Sequence, residues 1–341
     1  MTKIRALVVD DSITIRKRIV EILAAQPDFA VVGEASNGRA AIELARALRP
    51  DVITLDLVMP DVDGLAATEH IMGHMPTPIL IVSASHNRGE LFRTYDALAA
   101  GAVDVLDKSD GDPAWPARLV AAARMAARIK VITHPRARLG QLGRPRSSEL
   151  PRLQMPTSLV ALGASTGGPG ALVQVLSALP ASFPIPILIV LHIDDTFGAQ
   201  FAAWLAVQLQ RDVQLARVGA LPSAGIWLAP PGRHLVVQRG ELQLSCAPPR
   251  HHCRPSIDVL FESVASEIGD RAVACVLTGM GRDGAAGLLA IRRAGGLTLA
   301  QDEATSVVYG MPREAAACGA AIHVLPLGDI GPTIRSLGGP R

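Results

Sequence analysis

In the first third of the chain, three carboxylates, a hydroxyl and an ammonium stand at or just past the ends of apolar runs. Asp10 and Asp11 follow LVV, Asp56 follows VITL, Ser83 follows ILIV, and Lys108 comes just after VDVL. Three carboxylates facing one crevice repel one another unless a cation joins them. Hard oxygen donors beside solvent suit Mg²⁺, which usually takes few carboxylates plus a phosphate and keeps several waters. With the cation in place, one carboxylate can act as a nucleophile toward a phosphoryl group. Ser83 and Lys108 are then of the right types to hold the new phosphate oxygens.

A second constellation lies further along. Ser165 sits in Gly163-Ala164-Ser165-Thr166-Gly167, a G-x-S-x-G run between an apolar strand and a helix. That context lets a tight turn expose a serine oxygen at the tip of a sheet, and Gly-rich turns before helices also bind phosphate. Serine needs a neighbouring base to be a useful nucleophile. His192 ends the next strand, one β-α-β unit later, and in a parallel sheet both side chains emerge on one edge. Asp283, after a third strand, is a candidate to orient the imidazole. Its loop, Gly279-Met280-Gly281-Arg282-Asp283-Gly284, also reads as a dinucleotide fingerprint, with Asp302 and Glu303 about 20 residues on. Against that, Asp283 would put a negative charge where a pyrophosphate must sit. His251-His252-Cys253 offers metal-ligand types, but no fourth ligand stands at a metal-binding spacing. No lysine follows Lys130, which excludes a P-loop lysine or Schiff-base chemistry in the second half.

Regular elements must position these groups. Strands are predicted at Ala6–Val9, Ala30–Ala35, Val52–Leu55, Ile79–Val82 and Val103–Val105. Helices are predicted at Ser12–Ala25, Gly38–Leu48, Glu90–Ala100 and from Trp115 to about Lys130. In the second half, strands at Ser158–Leu162, Ile185–Leu191, Ala272–Leu277 and Leu297–Ala300 alternate with helices from Pro169 to about Ala178 and over Ala285–Ala294. Such alternation predicts parallel sheets with helices on both faces and ligands at the carboxyl ends of the strands.

At 341 residues, 49% hydrophobic and 19% charged, the chain can bury two sizeable cores. The formal net charge of +2 hides a division. Residues 1–127 carry −4, residues 128–154 carry +6, and residues 155–341 are neutral. The basic stretch holds Pro135, Pro145, Pro151, Gly140 and Gly143 without hydrophobic periodicity, the composition of an extended flexible linker. The domains expected are therefore 1–127, a linker over 128–156, a second domain over 157–332 and a tail over 333–341. Four irregularly spaced cysteines do not make a disulfide framework. With no signal-peptide pattern and no apolar run of membrane-spanning length, a cytoplasmic protein without membrane insertion is expected. A near-neutral chain argues against a nucleic-acid partner.

The runs LVVDDS (7–12), DVITLDLVMPDVDGL (51–65), VSA (82–84) and GAVDVLDK (101–108) resemble a response-regulator receiver domain. The resemblance implies a flavodoxin-like fold. It implies that Asp56 accepts phosphate from a histidine kinase, that Asp10 and Asp11 help Asp56 hold Mg²⁺, and that Ser83 and Lys108 sense the phosphate. Two positions depart from the receiver pattern: Val105 stands where an aromatic is usual, and Ser109 where Pro usually follows the Lys.

LGASTGGPGAL (162–172), APPGRHL (229–235), RPSIDVLF (254–261), TGMGRDGA (278–285) and AQDEATSVVYGMP (300–312) resemble the CheB-type catalytic domain, with a Rossmann-like fold. The whole chain is thus similar to two-domain chemotaxis protein-glutamate methylesterases. The resemblance implies hydrolysis of glutamate γ-methyl esters on chemoreceptors and deamidation of receptor glutamines, both controlled by phosphorylation. Ser165, His192 and Asp283 would form the triad and the N–H groups of Thr166 and Met280 the oxyanion hole. No cofactor is expected in the esterase domain. The segment Ile193-Asp194-Asp195-Thr196 departs from the family, which commonly has Gln before the His and Pro after it. A scaffold without turnover is the rival that intact Ser165, His192 and Asp283 speak against. A DNA-binding response regulator is opposed by the neutral, lysine-free second half.

Overall fold

Short buried strands alternating with helices organise both halves of the chain. The computed structural model describes residues 2–83, 88–108, 112–129, 131, 157–193, 195–220 and 224–338. The linker expected over 128–156 therefore lies almost wholly outside the described residues, as do Ser109 and Asp194. The chain separates into two units, Met1–Leu142 and Gly143–Arg341.

The first unit runs β1 (Ile4–Val9), α1 (Ile13–Ala24), β2 (Phe29–Ala35), α2 (Gly38–Leu48), β3 (Val52–Leu55), α3 (Gly64–His74), β4 (Ile79–Ser83), α4 (Arg88–Ala99), β5 (Asp104–Asp107) and α5 (Trp115–Ala126). The strands pair in parallel in the order β2-β1-β3-β4-β5. β1 and β3 are neighbours, so the order reverses between them and a crevice opens at their carboxyl ends. Polar side chains start α1, α2 and α3: Ser12 accepts from the Ile15 N–H, Asn37 from Ala40 and Asp63 from Ala66. Helix α3 is not among the predicted elements. Its Ala66-Ala67-Thr68 stretch dilutes the apolar stripe that periodicity reads, while the Asp63 cap and burial of Ala67, Ile71 and Met72 set it in place. Strand β5 lies later than its predicted span because Asp104 to Asp107 pair with Leu80 to Ser83.

The second unit runs β6 (Leu159–Ala164), α6 (Gly168–Ser177), β7 (Ile187–Leu191), α7 (Asp195–Leu209), β8 (Val213–Leu215), β9 (Ile226–Leu228), β10 (His234–Gln238), β11 (Glu241–Ser245), α8 (Ile257–Glu267), β12 (Ala272–Val276), α9 (Ala285–Arg293), β13 (Leu297–Gln301), α10 (Met311–Ala317), β14 (His323–Leu325) and α11 (Leu327–Leu337). Seven parallel strands form one sheet, ordered β14-β13-β12-β6-β7-β9-β8, and β10 and β11 form an antiparallel hairpin. β6, β7, β12 and β13 are buried along their whole length, as strands covered on both faces must be. The chain leaves β6 through β7 on one side and returns to β12 on the other, which puts the topological switch between β6 and β12. Helix α11 runs across position 332, where the sequence reading ends the second domain.

Candidate active site

The tips of β6, β7 and β12 bring the second constellation to one edge of the sheet. β6 pairs with β12 through Gly163 and Val276 and with β7 through Ala164 and Leu191. Past the strands, Ser165 N–H donates to the Thr278 carbonyl at 3.0 Å, and His192 N–H donates to the Ala164 carbonyl at 3.0 Å. Ser165 is followed by Gly167, whose φ of 76° lies in the left-handed region. A Cβ there would also approach Val307 Cβ to 2.6 Å, so the turn needs glycine.

Thr278 clamps this turn. Its hydroxyl donates to the Thr166 carbonyl at 2.9 Å and accepts from the Val308 N–H at 2.9 Å. The next residue, Gly279, lies against Ser165: a Cβ added there would sit 2.7 Å from Ser165 Cβ and 2.7 Å from Met311 Sδ. Among the described residues, the N–H groups of Thr166 and Met280 make no hydrogen bond. They are donors left available at the edge where Ser165 stands.

His192 and Asp283 are joined directly. His192 Nε2 lies 2.9 Å from Asp283 Oδ2. Asp283 is 2% exposed, and the start of α8 holds it. The Ser256 hydroxyl donates to Oδ1 at 2.8 Å, Asp258 N–H donates to Oδ1 at 3.0 Å, and Ile257 N–H donates to Oδ2 at 2.7 Å. Burial would push this carboxyl up, but His192 and the two backbone donors outweigh it and hold it below the usual carboxylate range. Burial works against charge on His192 as well. Asp283 and Cys253 overcome it and raise the imidazole to about 9.

Ser165 is not hydrogen-bonded to this pair. Among the described residues its Oγ has no hydrogen-bond partner, and the second ring nitrogen, Nδ1, lies 3.7 Å from Cys253 Sγ. The structure therefore brings His192 and Asp283 into contact and sets Ser165 on the neighbouring strand tip. His192, Asp283, Met280, Cys253, Arg282 and Tyr309 are among the residues lining a cavity of about 670 Å³.

Sequence reasoning missed Ser256, Thr278 and Cys253. The Ser-Ile-Asp run at 256–258 carries a helix-start signal, Ser256 accepting from the Val259 N–H, but nothing local shows that this helix end meets a carboxylate 25 residues later. The His251-His252-Cys253 run does not gather as one metal set. His251 and His252 have φ of 52° and 64°, which turns His251 onto Asp258 at 3.1 Å and Cys253 onto His192. Two of the three G-x-G-x-x-G glycines pack against the protein itself, Gly279 against Ser165 and Gly284 against Ile257 and Val276, while Gly281 borders open space.

In the first unit, Asp10 follows β1 and Asp56 follows β3, both buried, while Asp11 is exposed. Carboxylate oxygens of the three lie within 4.8 Å of one another. Lys108 Nζ bridges two of them, 2.8 Å from Asp10 Oδ2 and 2.9 Å from Asp56 Oδ2. Burial raises the Asp56 carboxyl against the pull of Lys108. For Lys108, burial opposes the charge and the two carboxylates more than restore it. Ser83 ends β4, buried, and its carbonyl accepts from the Lys108 N–H at 3.0 Å. Val105 is buried in β5.

Comparison with known proteins gives two family matches: CheB methylesterase over residues 160–334 and response regulator receiver domain over residues 6–122. A protein-glutamate methylesterase/protein-glutamine glutaminase of Anaeromyxobacter dehalogenans is 46% identical over 98% of this chain and 97% of its own. One from Caulobacter vibrioides is 43% identical over the full length of both. The crystal structure of the Thermotoga maritima CheB methylesterase catalytic domain superposes with a TM-score of 0.51 at 31% identity, covering 54% of this chain and all of that one.

Proposed function

The chain belongs to the CheB methylesterase family, with a response regulator receiver domain ahead of the esterase domain, and from that membership we propose how its two units divide the work. The second unit hydrolyses glutamate γ-methyl esters on chemoreceptors and deamidates receptor glutamines. Phosphorylation of the first unit raises that activity, so the protein is an adaptation enzyme of chemotaxis. It works in the cytoplasm; among the described residues no helix is long and apolar enough to cross a membrane.

The observation that carries the reading is the His192–Asp283 contact at the tip of β7, one strand from Ser165. Ser165 Oγ attacks the ester carbonyl while His192 takes its proton and then protonates the leaving methoxide. Asp283, held ionised by the α8 N-terminus, keeps Nε2 and stabilises the imidazolium. The proton is then handled at Nδ1, so the ring must turn from Cys253 toward Ser165 during attack. The N–H groups of Thr166 and Met280 receive the developing oxyanion. Loss of one such donor costs on the order of 10²–10³ in rate. Water repeats the attack on the acyl-enzyme and releases glutamate; with a glutamine substrate the leaving group is ammonia.

In the first unit, a histidine kinase supplies the phosphoryl group and Asp56 accepts it. Asp10, Asp11 and Asp56 form an all-oxygen donor set suited to Mg²⁺, which would neutralise charge on the incoming phosphate. Lys108, already between Asp10 and Asp56, is placed to pair with the phosphate oxygens, with Ser83 beside it. The test is methanol release from methylated receptor, with and without a small-molecule phosphodonor. Wild type should release methanol and respond to the donor. Asp56→Ala should release it without responding, and Ser165→Ala should release none. Equal release by Ser165→Ala would overturn the esterase reading.

A further inference from the structure

The cysteine beside the histidine has no part in the reaction as just derived. Cys253 closes a tight turn. Arg250 N–H donates to the Cys253 carbonyl at 3.1 Å, Cys253 N–H donates to the Arg250 carbonyl at 2.8 Å, and the two residues between have positive φ. Two consecutive non-glycine residues in the left-handed region are strained and persist only where the surroundings impose them. Here the surroundings are His251 fixed on Asp258 and Arg250 fixed on Glu262. The turn delivers the thiol into the cavity, 3.7 Å from His192 Nδ1. Asp283 already occupies Nε2, so the sulfur faces the one nitrogen left to move the serine's proton.

We propose that Cys253 is a positioning residue for the esterase reaction, holding the base nitrogen of His192 in the resting enzyme until substrate draws the imidazole across to Ser165. This rests on the reading of His192 as the general base. A ring held at both nitrogens keeps one orientation, with Nε2 on Asp283 and Nδ1 on Cys253, from which a single turn carries Nδ1 to Ser165. A sulfur that accepts from the imidazolium also favours its charged form, so the resting base is held protonated and uptake of the serine proton is restrained below the pH at which it ionises.

Among the described residues, Asp283 faces His192 from the β12–α9 loop and Cys253 from the turn before α8. Asp258, Arg250, His251 and Arg282 lie behind them, and His252, Arg313 and Glu314 line the same cavity. Asp194 and the side chain of Asp195, which follow His192 in the chain, lie outside the described residues.

The experiment uses the full chain. kcat/KM for methanol release is followed from pH 6 to 10 for wild type, Cys253→Ala and Cys253→Ser, and His192 is titrated in parallel by ¹⁵N-histidine NMR. The expected wild-type acid limb is centred near the imidazole's value of about 9. Cys253→Ala should move that limb, and the NMR titration, down by about one pH unit. Activity at pH 7 should then rise about ten-fold against the plateau, while the plateau itself falls. Cys253→Ser, with a hydroxyl in place of the thiol, should return both partway. Uniform loss at every pH with the NMR titration in place would overturn the proposal. So would a limb that moves only in Asp194→Asn. An inactive wild type, or Ser165→Ala with full activity, would instead overturn the esterase reading, and the NMR titration would still report on the His192–Cys253 contact.

Discussion

Asp283 shows why single residues at this site resist a reading from their neighbours in sequence. It accepts from Ser256, Ile257 and Asp258 as well as meeting His192, and a carboxylate with that many donors stays charged even when buried. Ser256→Ala removes one donor and the α8 cap together. It should cost about 1 kcal/mol of stability and roughly ten-fold in kcat, with KM little changed, read by a thermal melt and steady-state methanol release. Ser165→Ala should lower turnover by more than about 10³-fold with folding intact. His192 makes a pH prediction. Its folded value of about 9 lies above the ordinary imidazole value, so its stabilisation is full below about pH 6.5 and is lost as pH rises through the folded value. The melting temperature should therefore fall between pH 7 and pH 9.5, and less so in His192→Gln. Ser165 was legible in the sequence from its G-x-S-x-G turn, His192 as the end of an apolar strand and Asp283 as a carboxylate in the loop after a third strand. Cys253 and Thr278 were not, because each acts on a partner more than 60 residues away.

At the scale of elements, the loops past the strands are packed tightly enough that glycine is obligatory at a few points. Gly279→Ala would drive a methyl group into both Ser165 and Met311. It should reduce kcat by about 10²-fold, the loss expected when a nucleophile or an oxyanion donor shifts by about an ångström, while circular dichroism stays native. In the first unit, a Cβ at Gly64 would lie 2.1 Å from the Asp56 carbonyl oxygen. Gly64→Ala should therefore lower the melting temperature and slow phosphate uptake at Asp56, measured with a radiolabelled or fluorescent phosphodonor. The strands that came through in the sequence, β1 to β7, β12 and β13, are mostly buried apolar runs, whereas β8 to β11 and β14, shorter or half-exposed, were not predicted. Helix α3 did not, because it rests on an Asp63 cap, on Gly64 against the loop after β3 and on packing against α2 and α4, which leave little period-3.6 signal.

For the molecule as a whole, the acidic stretch 1–127 holds the switch and the neutral stretch 155–341 the hydrolase. If the first unit restrains the second, residues 155–341 alone should release methanol faster than the unphosphorylated full chain, and Asp56→Ala should hold the full chain at its basal rate with any phosphodonor; equal rates for the truncated and full chains would exclude restraint. The sequence by itself determined the two α/β folds, the split of charge into −4, +6 and 0, and the residue types at each strand end, since these follow from local periodicity and composition. Only the tertiary structure decided how those strand ends meet. The reversal of strand order sets β6 beside both β7 and β12, so residues more than 100 positions apart share one edge. Which ring nitrogen of His192 faces Asp283, and which faces Cys253, depends on two loops and a helix start packing together. That is a matter of space, which no pattern along the chain records.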